Sequence, residues 1–325
     1  MKTFVTGASG FVGSHVAQAL AARGDTVLAL ARRPEQHAAL RALGVTPVNG
    51  SLENERSLLA ALDGVEVVYH AAGLVAAKDE AEFFAVNDAG TRRLLDAVRR
   101  AAPDIKRFVY VSSQAALGPS PRGSALAEDA ECHPVTAYGR SKLAGELTVR
   151  GAHLPWSVVR PCIVYGPRDR EFLRLFKIVR RGIAPIIGTG RQQLSLIYIE
   201  DLVRVLLLAG SRTEALGQIL HAAHREIVLS RDIVRAAGQA MGKSPFILPV
   251  PGFLAAPVVW AVSHVGRLQG RRSALNVDKL PELLAPAFIV SVAKAERLLG
   301  WRAEHDVVEG MALTAEWYKK EGWLD

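Results

Sequence analysis

Three glycines at spacing three follow directly on the first apolar run of this chain. Residues 6–13 read TGASGFVG, with Gly7, Gly10 and Gly13 in step. The preceding Lys2–Thr6 (KTFVT) is β-branched and aromatic, as a short buried strand should be. The following Phe11–Arg23 sets Val12, Val16, Ala19 and Leu20 on one stripe of a predicted helix, which Gly24 stops. Thr26–Ala31 (TVLALA) reads as a second strand. Strand, glycine loop, helix, strand is a βαβ unit. Glycine at its first turn permits a tight bend and lets a pyrophosphate approach bare backbone. It also lets the helix pack close to the sheet, with its first amides aimed at the anion. The spacing alone is a weak signal, since a plain glycine-rich turn would show it too. Its setting makes Gly7, Ser9, Gly10, Phe11, Val12 and Gly13 candidates for holding a dinucleotide.

The alternation continues. Strands are predicted at Val45–Val48, Val65–His70, Arg107–Val111 and Trp156–Arg160, with helices over Phe83–Arg100 and Tyr138–Arg150. Strands alternating with helices imply an α/β fold, a Rossmann-type doubly wound parallel sheet covered on both faces. Ligand contacts then belong at the carboxyl ends of strands, which adds Gly73, Ser112 and Pro161 as candidates. The chain has 325 residues, half of them hydrophobic, enough for a large core. We expect residues 1–165 to form the dinucleotide-binding domain, with 192–224 returning to it. Residues 166–191 and 225–325 should form a smaller, mostly helical substrate lobe, closing with a helix over Glu304–Glu321.

Two cysteines, Cys132 and Cys162, make no disulfide framework and no CxxC pair, which fits a reducing cytoplasm. The first strand begins at once, with nothing that resembles a signal peptide. The net charge of +8 is scattered along helices without aromatic interleaving. It reads as a solvated surface plus anionic cofactor sites, not as a nucleic-acid face. His221 and His224 are three apart but lack flanking ligands, so no metal site is expected. His70 reads as a buried strand-end histidine, His133 as a surface-loop residue and Cys162 as packing.

The sequence AYGRSKLAGE places Tyr138 and Lys142 four apart on a predicted helix, hence on one face. An ammonium beside a phenol favours phenolate and should lower the tyrosine pKa toward working pH. Such a tyrosine exchanges a proton with a carbonyl or alcohol oxygen while a nicotinamide exchanges hydride. Ser113, at a strand end, could hold the same oxygen. Taken alone, Tyr-x-x-x-Lys is also what an ordinary exposed helix face can show.

With these pieces in view, the chain resembles the extended short-chain dehydrogenase/reductases, in their epimerase/dehydratase-like branch. The resemblance spans essentially the whole chain, through TGASGFVG (6–13), YHAAG (69–73), NDAGTRRLLDA (87–97), VYVSSQAALG (109–118), YGRSK (138–142), RPCIVYGP (160–167) and LIYIEDL (196–202). It implies Ser113, Tyr138 and Lys142 as the catalytic set, with Tyr138 and Lys142 also meeting the cofactor, Lys142 at the nicotinamide ribose. It implies cofactor contacts from Gly7, Ser9, Gly10, Phe11, Ala71 and Ala72, places Asn87 near the site, and favours Ser113 over Ser112 as the catalytic serine. It also implies a homodimer.

The end of the second strand reads Ala31-Arg32-Arg33, with no acid before Glu35. Two guanidinium groups suit a ribose 2′-phosphate, which favours NADP(H); NAD(H) is the alternative. Family members that act on nucleotide sugars usually carry an Asn where this chain has Ile163. They also carry an Arg near the slot of Leu194, unless Arg191 takes that part. These departures point toward the branch of flavonol-type reductases and 3β-hydroxysteroid dehydrogenases. The apolar stretch 246–262 (FILPVPGFLAAPVVWAV), followed by His264, Arg267, Arg271 and Arg272, reads as a core helix of the second lobe. Its alternative is a peripheral membrane contact through 246–272. The expected function is NADPH-dependent oxidation and reduction of a ketone or alcohol on a hydrophobic small molecule. The alternatives are a nucleotide-sugar epimerase or dehydratase with bound NAD, and a non-catalytic dinucleotide sensor or assembly subunit.

Overall fold

The computed structural model describes residues 1–254, 257 and 277–324. Its strands are β1 (Lys2–Thr6), β2 (Thr26–Ala31), β3 (Thr46–Asn49), β4 (Val67–His70), β5 (Arg107–Val111), β6 (Trp156–Pro161), β7 (Ile163–Tyr165), β8 (Ile183–Ile187), β9 (Gln193–Tyr198), β10 (Ile219–Ala222), β11 (Ile227–Leu229), β12 (Phe246–Val250) and β13 (Ala287–Phe288). Seven of them form one sheet in the order β3-β2-β1-β4-β5-β6-β10, and every pairing in it is parallel. The register sets Phe4 beside Leu28 on one side and beside Val68 on the other.

Neighbouring residues of one strand serve opposite faces. Phe4 packs with Leu58, Leu62, Leu94, Val98 and Phe108, whereas Val5 packs with Val16, Leu20, Leu202 and Leu206. The first group is supplied by α3 (Glu55–Leu62) and α5 (Ala89–Ala101), the second by α1 (Phe11–Ala22) and α8 (Ile199–Ser211). The remaining early helices are α2 (Ala38–Ala42), α4 (Glu80–Asn87), α6 (Ala137–Arg150), α7 (Arg170–Arg180) and α9 (Ser230–Ala240). With both faces covered, β4 and β5 are buried throughout, and their apolar residues run consecutively over residues 67–69 and 108–111. The strand order reverses between β1 and β4, so the crevice at their carboxyl ends is the natural ligand seat.

Three differences from the sequence reading have physical causes. The single helix expected over Phe83–Arg100 is two, α4 and α5, broken at Asp88. Asn87 ends α4 because its side chain is engaged elsewhere: it accepts from the Leu74 amide and donates to the Ser141 hydroxyl. Residues 166–191 and 225–325, expected to be mostly helical, also carry short strands: β8 pairs with β12, and β11 and β13 flank β9. Phe246–Val250, read from sequence as the start of a core helix, is β12. His264, Arg267, Arg271 and Arg272 lie outside the described residues. The closing helix, Val307–Lys320, starts later than expected because Asp306 caps it, accepting from the Val308 and Glu309 amides. Among the described residues, no helix is long and apolar enough to cross a membrane.

Candidate active site

The glycine loop closes a tight turn in which the Gly10 amide donates to the Gly7 carbonyl at 2.9 Å. Gly7 takes φ +75°, and a Cβ there would fall 2.6 Å from the Ala72 nitrogen. A Cβ on Gly13 would fall 2.2 Å from the Gly7 carbonyl oxygen. Gly13 thus packs α1 against the loop. α1 starts at Gly10 without a side-chain cap, whereas Asn54, Asp79, Thr136 and Asp169 cap α3, α4, α6 and α7. The amides of its first turn are left for an anion.

A cavity of about 720 Å³ opens along this loop. Gly7, Ser9, Gly10, Ala71, Ala72 and Gly73 line one end, and Arg32, Arg33, Gln36 and His37 the other. Sequence reasoning missed Ser51, Leu52 and Glu53 after β3, and Arg93, whose Nε donates to the Leu52 carbonyl at 2.8 Å. Among the described lining residues three guanidinium groups, Arg32, Arg33 and Arg93, face one carboxylate, Glu53. The bare glycine cradle, the uncapped helix and this excess of cations fit a dinucleotide with its phosphates. Phe11, Val12, Gly13, Asn87, Ser112 and Pro161 lie off the cavity wall. Phe11 sets its ring edge-on to His15, and Pro161 is buried at the end of β6.

Beyond Gly73 come the groups that could do chemistry. A Cβ on Gly73 would lie 3.1 Å from Asn87 Oδ1 and 3.7 Å from Lys142 Nζ, so the loop after β4 joins the cavity to α6. Lys142 is buried, donates to the Val111 carbonyl at 2.8 Å and sits 4.2 Å over the Tyr110 ring. Burial lowers its pKa to about 7, against the opposing pull of Glu146. Tyr138 packs beside Phe83, with the Ser113 hydroxyl close enough to its phenol to favour phenolate. Burial pushes the Tyr138 pKa up to about 12; the nearby Ser113 hydroxyl favours phenolate and the Glu282 carboxylate opposes it. This corrects the expectation of a lowered tyrosine pKa. The Lys142 ammonium is spent on the Val111 carbonyl, and the loss of solvent dominates at the phenol.

The start of α6 is finished by a distant segment. Thr136 caps the helix and donates its hydroxyl to Glu282 at 2.8 Å. The Ala137 amide donates to the Asp278 carboxylate at 3.0 Å, and the Lys279 ammonium lies 4.9 Å over the Tyr138 ring. Ser112 and Ser113 diverge as neighbours at a strand end should. Ser113 Oγ accepts from the Ala115 amide at 3.2 Å, near Tyr138, while Ser112 turns inward and donates to the Glu146 carboxylate. Glu146 in turn forms a buried pair with Arg160, whose Nη2 lies 2.7 Å from it. This pair also escaped the sequence reading; its members are fourteen residues apart, in different elements.

The other singled-out residues are modest. His70 is fully buried between the Thr6 and Thr91 hydroxyls, and burial lowers its pKa to about 3. His133 is exposed and Cys162 buried. Among the described residues no cluster of His, Cys, Asp and Glu could hold a metal ion.

A family model described as the NAD dependent epimerase/dehydratase family matches residues 3–221. The chain is 34% identical to the ceramide reductase of Caulobacter vibrioides, over 98% of this chain and 95% of that protein. It is 27% identical to the UDP-glucose 4-epimerase of Vibrio cholerae, over 96% of this chain and 94% of that protein. Among solved structures it resembles MoeE5 in complex with UDP-glucuronic acid and NAD, with a TM-score of 0.78 and 25% identity, over 99% of this chain and 100% of that one.

Proposed function

The chain belongs to the NAD dependent epimerase/dehydratase family, among the extended short-chain dehydrogenases/reductases, and from that premise we propose that it is an NADPH-dependent oxidoreductase interconverting a ketone and an alcohol on a hydrophobic or amphipathic small molecule. The observation that carries this reading is the Tyr138 phenol, near Ser113 and kept protonated by burial, one helical turn from Lys142, whose ammonium approaches Gly73 on the wall of a cavity fit for a dinucleotide. The dinucleotide, when bound, supplies hydride to a carbonyl carbon, or accepts it in reverse. Tyr138 gives its proton to the carbonyl oxygen, and the Ser113 hydroxyl holds that oxygen in place. Gly7, Ser9 and Gly10 would hold the pyrophosphate, Ala71 and Ala72 the middle of the cofactor, and Lys142 the nicotinamide ribose. A phenol pushed up to about 12 is protonated at neutral pH, the state that gives a proton to a carbonyl oxygen.

Arg32 and Arg33 support NADPH, because they stand at the cavity end where the ribose 2′-phosphate would lie and no carboxylate ends β2. A charge-assisted hydrogen bond contributes about 1.5–3 kcal/mol, roughly ten- to a hundredfold in affinity. Replacing both arginines with alanine should therefore weaken NADPH by that factor and leave NADH nearly unchanged in a fluorescence titration. Equal loss of the two cofactors would overturn the assignment.

Leu194 supports an apolar substrate. It is buried within β9, and with Ile163 it offers neither a cation nor an amide to a diphosphate. Burying that charge unpaired would be costly. The relative named as a ceramide reductase agrees with this reading. A second reading, a nucleotide-sugar epimerase or dehydratase with retained NAD, is favoured by the epimerase relative. Turnover assays separate them: NADPH consumption with long-chain or polycyclic ketones supports the first, and epimerisation of a UDP-sugar without net cofactor use the second. Dinucleotide binding without turnover of either class would favour a sensor.

A further inference from the structure

One face of the later part of the chain is apolar, exposed and rimmed by cations. β8 and β12 pair in parallel, with Phe246 beside Ile183 and Leu248 beside Pro185. Ala184 and Ile186 turn into the core, so Ile183, Pro185, Phe246 and Leu248 share the outer side. Phe246 is 65% exposed and Ile183 55%. The chain then runs on to Phe253, 80% exposed, and Leu254. Leu284 continues the surface, since its Cδ2 lies 3.3 Å from where a Cβ on Gly252 would be. Large apolar side chains grouped this way on a water-facing surface mark a docking site.

Four cations stand beside the β8–β12 part of this face, while the Glu282 carboxylate near Leu284 is bonded to Thr136 and Lys279. Lys177 and Arg180 occupy the last turn of α7, Arg181 follows it, and Lys243 stands in the turn before β12. The Phe246 amide donates to the Gly182 carbonyl at 2.8 Å, which holds the Arg181-Gly182 turn against the aromatic. All four cations are exposed, and none forms an ion pair with another described residue, unlike Arg174, which pairs with Glu171. Apolar groups centred among cations complement a layer that is greasy inside and negative at its surface.

We propose that this face docks the protein on an anionic lipid bilayer, with Phe246, Leu248 and Phe253 entering the acyl boundary and Lys177, Arg180, Arg181 and Lys243 at the phosphates. The assignment is independent of which substrate is turned over. Leu284 belongs to the same helical turn as Glu282, which bonds Thr136 at the head of α6. Docking therefore brings the bilayer toward the Tyr138 end of the site.

Co-sedimentation of the full chain with vesicles tests this, comparing phosphatidylcholine alone with phosphatidylcholine containing phosphatidylglycerol, at low and high salt. The expected result is pelleting with the anionic vesicles, weakened by salt. Phe246→Ser with Phe253→Ser, and separately Arg180→Glu with Arg181→Glu, should each reduce binding by about tenfold or more at unchanged melting temperature. If the aromatic pair melts early, Phe253→Ser alone carries the same expectation. Failure of the wild type to pellet, or binding indifferent to these substitutions, would overturn the proposal. So would gel filtration showing a wild-type dimer that the substitutions split, since the face would then join two copies of the chain.

Discussion

Tyr138 and Lys142 sit one helical turn apart, and burial makes each of them less willing to be charged. The phenol, near 12, stays protonated, while the ammonium, near 7, is poised to titrate. Tyr138→Phe keeps the ring against Phe83 but removes the proton. Carbonyl reduction should fall roughly 10²-fold or more while cofactor titrations stay unchanged. Comparable turnover in that variant would falsify the assigned role. Lys142 also predicts a pH signature in stability. Its folded pKa lies below the unfolded one, so between about 7 and 10.5 the unfolded chain binds the extra proton and stability rises with pH. The destabilisation is fully present below about 7. Lys142→Met should therefore raise the melting temperature of the cofactor-free protein most at mildly acidic pH, and the advantage should fade toward alkaline pH. A constant or opposite difference would mean that the ammonium is not held at a cost.

At the scale of elements, the glycine loop and α1 behave as one body. Gly13→Ala would drive a methyl into the Gly7 carbonyl, a contact backbone cannot relieve cheaply. Overpacking of this kind costs about 1–3 kcal/mol, so thermal stability and dinucleotide affinity should fall together. Loss of stability with intact affinity would count against the cradle. This region was legible in sequence because its signals are local: β-branched runs, glycine stops and a helical stripe. The Tyr138–Lys142 spacing was legible for the same reason. What stayed hidden is tertiary. Asn87 breaks a helix by reaching Leu74 and Ser141, and nothing in NDAGT announces that. Ser112 and Ser113 must face opposite ways on a strand, yet only Glu146 and Arg160, from other elements, fix which one faces inward. The tyrosine pKa was misread because spacing reports a neighbour's charge, whereas desolvation depends on everything packed around the ring.

The whole molecule ties its late segments back onto its early ones. The buried Asp201 carboxylate accepts from the Glu304 and His305 amides and from Arg204, which fastens the approach to the closing helix. Asp278 and Glu282 do the same at the head of α6. Replacing both with alanine should lower turnover several-fold while dinucleotide affinity stays within about twofold, because the cradle is built without them. Equal loss of affinity and rate would show that the two halves of the site are not separable in this way. That dependence also has a consequence in time. A nascent chain that has released residues up to Ala222 holds every strand of the main sheet and the whole glycine cradle. The partners that finish α6 leave the ribosome some sixty residues later, several seconds at ordinary synthesis rates. For that interval the growing polypeptide holds every residue of the glycine cradle but not the carboxylates that finish α6, so the two halves of the site are completed at different times.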